Sequence, residues 1–439
     1  MAGLLDALRG GGAGRALGIR NFRIYFAGLM VSISGTWMQS TAQAWLVLKL
    51  TDSPLALGTV AALQSLPVML LTLFGGAVAD RLPRRKLLYV TQGLGALQAV
   101  ALGALALHGI AEVWHIYVLA IGLGLINALD NPVRQSFIGE LVPVSVLPNA
   151  IALNSMAQNL GRILGPTLGG LTIAGFGVGA AFFINAATFS GTIIALLLLD
   201  PSALHVAGTR PRGNVFRQIG EAAHFAWSQP SILVLLIGAA FIGMFGQNFA
   251  TMVPLVAIYL VHADAAQFGL LNSGLGTGSM LAAFVMSMSG PPSIGRILLA
   301  GCCFALFLVA VSQSSWLPLS CLFFAGVGAS VITFNASVQT SMQMQAPPEM
   351  RGRFASMLHL LGAGSSPIGQ LLTGAVASNA AVWFAVGLNG VMCAVGMLMA
   401  GLYFLRKSRQ GTPFAIATPL QAPDPTAPKG ASLAISPKR

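Results

Sequence analysis

Apolar stretches of about 20 residues recur along the whole chain, split by short polar connections, and each can cross a hydrocarbon core as a helix. They fall at 24–48, 54–79, 87–108, 114–129, 147–173 and 180–199, and then at 232–260, 269–288, 297–312, 317–344, 354–377 and 381–405. Twelve spans in two sets of six predict an all-α membrane protein built as two pseudo-symmetric six-helix bundles. The predicted units are an N-terminal segment 1–23, a first bundle 24–199, a polar linker 200–230, a second bundle 231–406 and a disordered tail 407–439 rich in Pro, Ala and Ser. The halves echo each other. Gln135 precedes Pro143 by eight residues and Gln339 precedes Pro347 by eight, and each pair leads into a Gly-rich helix containing Pro166 or Pro367. A duplicated bundle places its binding site at the axis relating the two halves.

Composition removes the soluble alternative. Only 8% of the 439 residues are charged and 55% are hydrophobic, whereas a soluble domain carries about a quarter of its residues as charges. The net charge of +12 could suggest nucleic acid, but its distribution excludes that reading. The bases gather in alternate connections: Arg9, Arg15, Arg20 and Arg23; Arg81, Arg84, Arg85 and Lys86; Arg134; Arg210, Arg212 and Arg217; Arg296; Arg351 and Arg353; and the tail from Arg406. Among the other connections only Lys49 is basic, and Arg162 alone lies deep in a span. Such alternation is the positive-inside rule, which predicts a bacterial inner-membrane protein with both termini, the linker and the tail in the cytoplasm. The basic start runs into an apolar stretch too long for a signal peptide, so no cleavage is expected. Cys302, Cys303, Cys321 and Cys393 lie in apolar stretches without metal-ligand spacing and read as small packing residues.

Two motifs stand out. Between the second and third spans, Gly76, Asp80, Arg81, Arg84 and Arg85 set a small residue, an acid and several bases at one membrane surface. That combination can form an ion-pair latch between helices that breaks when the halves rock. In the fifth span Gly161, Gly165 and Gly169 repeat every four residues and line one helix face, while Pro166 permits a bend and Gly170 follows. Arg162 interrupts the same segment.

The first motif resembles the loop signature of the major facilitator superfamily, with Pro83 standing where that family usually has Gly. The resemblance implies that Asp80 faces the start of the eleventh helix. It also implies that a loop base pairs with an acid on the fourth helix, for which Asp130, one turn from Arg134, is the natural candidate. The GxxxGPxxGG string resembles the fifth-helix motif of the superfamily's antiporters and implies export. The stretches 21–23, 35–40, 42–46, 130–135, 147–155 and 351–353 narrow the likeness to the branch holding enterobactin-type siderophore exporters and macrolide efflux carriers. The likeness covers about residues 20–405. The second-half counterpart of the loop, near Arg296, lacks the acid, so any latch is asymmetric.

Polar groups inside lipid must face protein or a water-filled cavity. Gln39 and Gln43 lie one turn apart on the first span; Asn154, Gln158 and Arg162 form a stripe on the fifth; Gln247 with Asn248 and Asn335 with Gln339 mark the seventh and tenth. Singly each reads as a helix-packing hydrogen bond. As a set they are candidates for a substrate cavity, which the first, seventh and tenth spans border in the superfamily fold. Arg162 either attracts an anionic or carbonyl-rich solute or pairs structurally, with helix carbonyls or with Asp130. No acid falls in the middle of a predicted span, so Asp130, Glu140 and His359 are the candidates for proton exchange. Nucleotide-binding, catalytic and metal motifs are not found. The expectation is therefore a transporter, not an enzyme, with no cofactor. It exports a small amphipathic solute by alternating access, exchanges it for protons and works as a monomer. An importer or lysolipid flippase of the same fold, and more distantly a transporter-like receptor, are the alternatives.

Overall fold

The computed structural model describes residues 14–79, 82–205, 229–345, 354, 357, 358, 361, 362 and 364–410, with the backbone alone for 72–79. Among these residues the chain is helical and contains no strand. The first half holds α1 (Arg20–Thr51), α2 (Pro54–Ala79), α3 (Arg84–Leu107), α4 (Val113–Leu141), α5 (Leu147–Phe176) and α6 (Val178–Leu198). The second holds α7, in two pieces at Pro230–Phe241 and Phe249–Leu255 each followed by a π turn, then α8 (Ala265–Ser287), α9 (Ile294–Ser312), α10 (Leu317–Gln345), α11 (Ser366–Asn379) and α12 (Val382–Arg409). Helices suit lipid because every backbone group is satisfied within the segment. Their ends are set by local chemistry. Asp52 leaves α1 in the left-handed region (φ 45°) with its N–H on the Leu48 carbonyl, and Asp264 with Gln267 forms a capping box at the start of α8.

Eight of these helices, and the two pieces of α7 as a bent pair, are long and apolar enough to cross a membrane. Three of the twelve expected spans fall short for definite reasons. α1 and α5 are diluted by polar residues and glycines because both pack inside the protein, against each other and against α6 and α8 respectively. Of the eleventh expected span, 354–377, an unbroken helix is described only over Ser366–Asn379, 14 residues.

Two expected boundaries change. The fourth span, read to 129, continues as helix to Leu141 through Pro132. Asp130 therefore lies well inside α4 rather than at its end, because partners neutralise the charges of this last part. The seventh span, read as continuous, is interrupted at Gln247–Asn248 and bends by 44°.

Helix pairing repeats with an offset of six. In the first half α2 packs on α4, α3 on α4 and α6, and α1 on α6; in the second α8 packs on α10, α9 on α10 and α12, and α7 on α12. The halves meet where α2 packs on α11 and α5 on α8. Exposed leucines such as Leu97, Leu197, Leu299, Leu306 and Leu398 on α3, α6, α9 and α12 give those helices a face for lipid. The buried core is not uniform along the membrane normal. One cluster joins both halves at the end that carries Leu48, Leu57, Phe268 and Val382, and continues through the second half alone to Ile232, Ile297 and Met342. At the opposite, Arg-rich end the first half keeps its own cluster around Phe22, Tyr25 and Phe137, and a small separate one surrounds Val234, Ile294 and Ala400.

Candidate functional site

The closed end is held by close backbone approach. A Cβ on Gly374 of α11 would lie 2.7 Å from the Pro54 carbonyl and 3.1 Å from Gly58 Cα on α2. One on Gly170 of α5 would lie 3.1 Å from Gly269 Cα on α8. Only glycine permits such crossings. Polar and aromatic contacts join them: Tyr259 donates to Asp52 at 2.7 Å, Ser65 to Gln370 at 3.2 Å, Thr167 bonds Ser273, and Trp45 stacks on Phe268. Toward the Arg-rich end the same helix pair α5–α8 leaves Ile151, Met156, Phe284, Val285 and Met288 exposed. The two halves thus meet closely at one end, and apolar side chains of α5 and α8 are uncovered at the other.

The glycines of the fifth-span motif divide their work. Gly161 abuts Ile33, Gly165 abuts Trp37, and Gly169 lies against Met38 and Thr41, so this face seats α5 on α1. Gly170 instead meets α8 of the other half, and the Pro166 carbonyl touches Gly269.

Within the first half lies a buried ion pair. The Asp130 carboxylate accepts from Thr91 Oγ1 (2.6 Å), Gln92 Nε2 (2.8 Å), Arg134 Nε (3.0 Å) and Arg134 Nη2 (2.7 Å). Arg134 Nη1 and the hydroxyl of Tyr25, both buried, have no hydrogen-bond partner. A cavity of about 90 Å³ adjoins the pair, with Thr36, Trp37, Asn127, Asn131 and Gln158 in its lining. Among the described residues Arg84 pairs with Glu140, nearer the end of α4 (2.5 Å), and Asp130 with its own i+4 arginine, Arg134. Arg85 lies over the Tyr89 ring, 5.9 Å from its centroid. Gly76 falls within α2 where only the backbone is described, and Asp80, Arg81 and His359 lie outside the described residues.

The candidate cavity residues separate into two groups. Gln39 is buried in a packing network: it donates to Gln98 (2.8 Å) and accepts from Asn185 (2.6 Å), linking α1, α3 and α6. Gln43 is buried as well. On α5 Asn154 is half-buried with an unpartnered Oδ1, Gln158 is exposed, and Arg162 lies over the Trp37 ring, 5.1 Å from its centroid. Arg162 does not pair with Asp130, whose four bonds are already taken. In the second half Gln247, at the break of α7, exchanges amide hydrogen bonds with Asn335 of α10 at 3.5 Å. Asn248 is fully buried, donates to the Met244 carbonyl at 2.8 Å and leaves its Oδ1 unpartnered; Gln339 is exposed. Sequence reasoning passed over Thr91, Gln92, Gln98, Asn185 and the pair Asp52–Tyr259. The first four are polar residues on apolar helices, a signal present in the chain. The last joins residues 207 apart and has no local mark. Among the described residues no group of three or more His, Cys, Asp or Glu could hold a metal.

Two six-helix halves with the same helix pairing, meeting closely at one end, are the architecture of major facilitator transporters, and solved structures share the fold. A peptide transporter of the POT family, PepTSo, superposes with a TM-score of 0.70 over 89% of this chain and 99% of its own, at 13% identity. A bacterial homologue of the lysosomal transporter Spinster, in an inward-facing and unoccupied conformation, gives 0.65 over 89% and 97%, at 15% identity. At such identities the likeness is one of fold. The family profile of transmembrane secretion effectors matches residues 15–421, and the chain belongs to that family of major facilitator transporters. Among its relatives are the multidrug efflux pump Tap of Mycolicibacterium fortuitum, 27% identical over 88% of this chain and 96% of the relative. The enterobactin exporter EntS of Citrobacter koseri is 25% identical over 91% and 96%, and the staphyloferrin A transporter of Staphylococcus aureus 24% identical over 60% and 66%. The chain is a multi-pass membrane transporter of small molecules and not an enzyme.

Proposed function

We propose that this transporter exports a small amphipathic solute, drug-like or siderophore-like, from the cytoplasm by alternating access, in exchange for protons. The observation that carries the mechanism is the uneven core: contacts between halves gather at one end, and the cores stand apart at the other. With the Arg-rich end in the cytoplasm, as the positive-inside rule assigns it, the molecule rests in an inward-open state ready to receive a cytoplasmic solute. The halves 24–199 and 231–406 rock as bodies about the α2–α11 and α5–α8 crossings, 200–230 being the linker. Gly76, Asp80, Arg81, Arg84 and Arg85, with Glu140 as the acid on α4, latch the cytoplasmic surface when that end closes. Direction rests on the fifth-span motif and on relatives that are an efflux pump and an exporter. The candidates for proton exchange are Asp130, Glu140 and His359, of which Asp130 holds the buried Arg134. The protein works as a monomer in the inner membrane.

A strain lacking the gene should accumulate more of at least one compound from a panel of amphipathic antibiotics and dyes, and re-expression should reverse this. Lower accumulation would make the protein an importer. Counterflow in proteoliposomes separates carrier from receptor, since a receptor moves no solute.

A further inference from the structure

The first half carries a charge that no described residue balances. Asp130 and Arg134 neutralise each other in a bidentate pair. Arg162 has no such counterpart: among the described residues its one recorded partner is the Trp37 ring, 5.1 Å from the guanidinium. An arginine keeps its charge even when desolvated, and a charge inside a membrane protein marks a pathway or a ligand. The surroundings are those of a recognition site. The guanidinium lies over the Trp37 ring, and no described residue accepts a hydrogen bond from it. Gln158, one turn away on α5, is exposed, and Asn154 Oδ1, a further turn back, is buried without a partner. Asn127 and Asn131 of α4 line the cavity that also contains Trp37 and Gln158. Trp37 thus joins the two: its ring meets the Arg162 guanidinium, and it shares the lining of that cavity with Gln158, Asn127 and Asn131.

We propose that Arg162 is the anion-recognition residue of the transport site, and that the solute carries a planar oxyanion of carboxylate type on an aromatic or apolar body. The guanidinium fork matches such a group with two parallel hydrogen bonds, and Trp37 holds the fork in plane while offering its own face to the solute's ring. The stripe on α5 serves selection of the charged end, and the exposed apolar side chains of α5 and α8 serve the rest. This assignment rests on the reading of the space between the halves as a transport path, and concerns which solutes enter it.

The test is equilibrium binding to the purified full-length protein in neutral-lipid nanodiscs, with 2-naphthoate and its uncharged isostere 2-naphthamide as probes. Wild type should bind naphthoate at least ~10-fold more tightly, about 1.4 kcal/mol. Arg162→Gln should lose that preference while keeping its naphthamide affinity, and Arg162→Lys should retain part of it. Should the glutamine variant fail to fold, Gln158→Glu provides a second route. The new carboxylate, on an exposed position one turn before Arg162, supplies an internal counterion and should abolish the preference without lowering the melting temperature. Equal affinities in wild type, no binding of either probe, or a preference that survives Arg162→Gln or Gln158→Glu would overturn the assignment. Nanodiscs containing phosphatidylglycerol distinguish the other source of an oxyanion. Loss of naphthoate binding there, dependent on Arg162, would make a lipid headgroup the occupant and overturn the solute assignment. Binding is read without transport, so a failed counterflow experiment sinks the carrier reading and leaves this result standing.

Discussion

Gly374→Ala should move the protein out of its present state. In the closed end a Cβ at that position would lie 2.7 Å from the Pro54 carbonyl oxygen and 3.1 Å from Gly58 Cα. Ordinary contact begins near 3.4 Å, and the obstruction is backbone, which cannot rotate away. The α2–α11 crossing must therefore open by about 0.7 Å, an overpacking penalty of about 1–3 kcal/mol. That penalty falls on the state in which the two helices touch and is absent from one in which they separate. The ratio of outward-open to inward-open molecules should rise about 5–150-fold. Spin labels at Leu107 and Trp316, exposed positions in the two halves at the closed end, report the change, with Cys302, Cys303, Cys321 and Cys393 replaced by alanine. Double electron–electron resonance should show a longer distance gaining population in Gly374→Ala and in Gly58→Ala. Gly122→Ala, where a new Cβ meets nothing within 4 Å, should match the parent. Identical distance distributions in Gly374→Ala and the parent, with normal folding, would refute the idea that this glycine pair belongs to one state only.

Three further outcomes are expected. Arg134→Gln, which strands the buried Asp130 carboxylate, should cost about 3–5 kcal/mol of stability; a melting temperature equal to wild type would show the pair is hydrated or dispensable. Gln39→Leu removes one partner each from Gln98 and Asn185 and should cost about 1–3 kcal/mol while leaving solute selectivity intact; altered selectivity without a change in melting would return Gln39 to the cavity. Asp80→Asn should cut transport severely with normal expression and membrane insertion, and full activity would reduce the loop to a topological anchor.

Several features were legible in the chain because they rest on local rules. Lipid demands continuous apolar helices, so most spans, the break between halves and the all-α architecture follow from hydropathy alone. The four-residue spacing of Gly161, Gly165 and Gly169 fixes a common face, and the structure adds only that this face meets α1. Partner choice is a different matter. Gln39 and Arg162 look alike in sequence, each a polar group in an apolar run. The structure buries Gln39 among Asn185 and Gln98, residues 146 and 59 positions away, and leaves Arg162 on an aromatic ring. Asp130 reads as a loop-facing acid until the fourth helix is seen to run on to Leu141, and then Arg134, Thr91 and Gln92 claim it. Gly170 and Gly169 are neighbours in sequence, yet one faces the other half of the molecule and the other does not. A hydrogen bond or a helix crossing is a relation between two distant segments, and its energy depends on which side chains the packing brings within about 3–4 Å. Periodicity sets which face of a helix is apolar or small; only the assembled bundle decides what that face touches, and therefore which polar groups are satisfied within the protein and which remain for a solute.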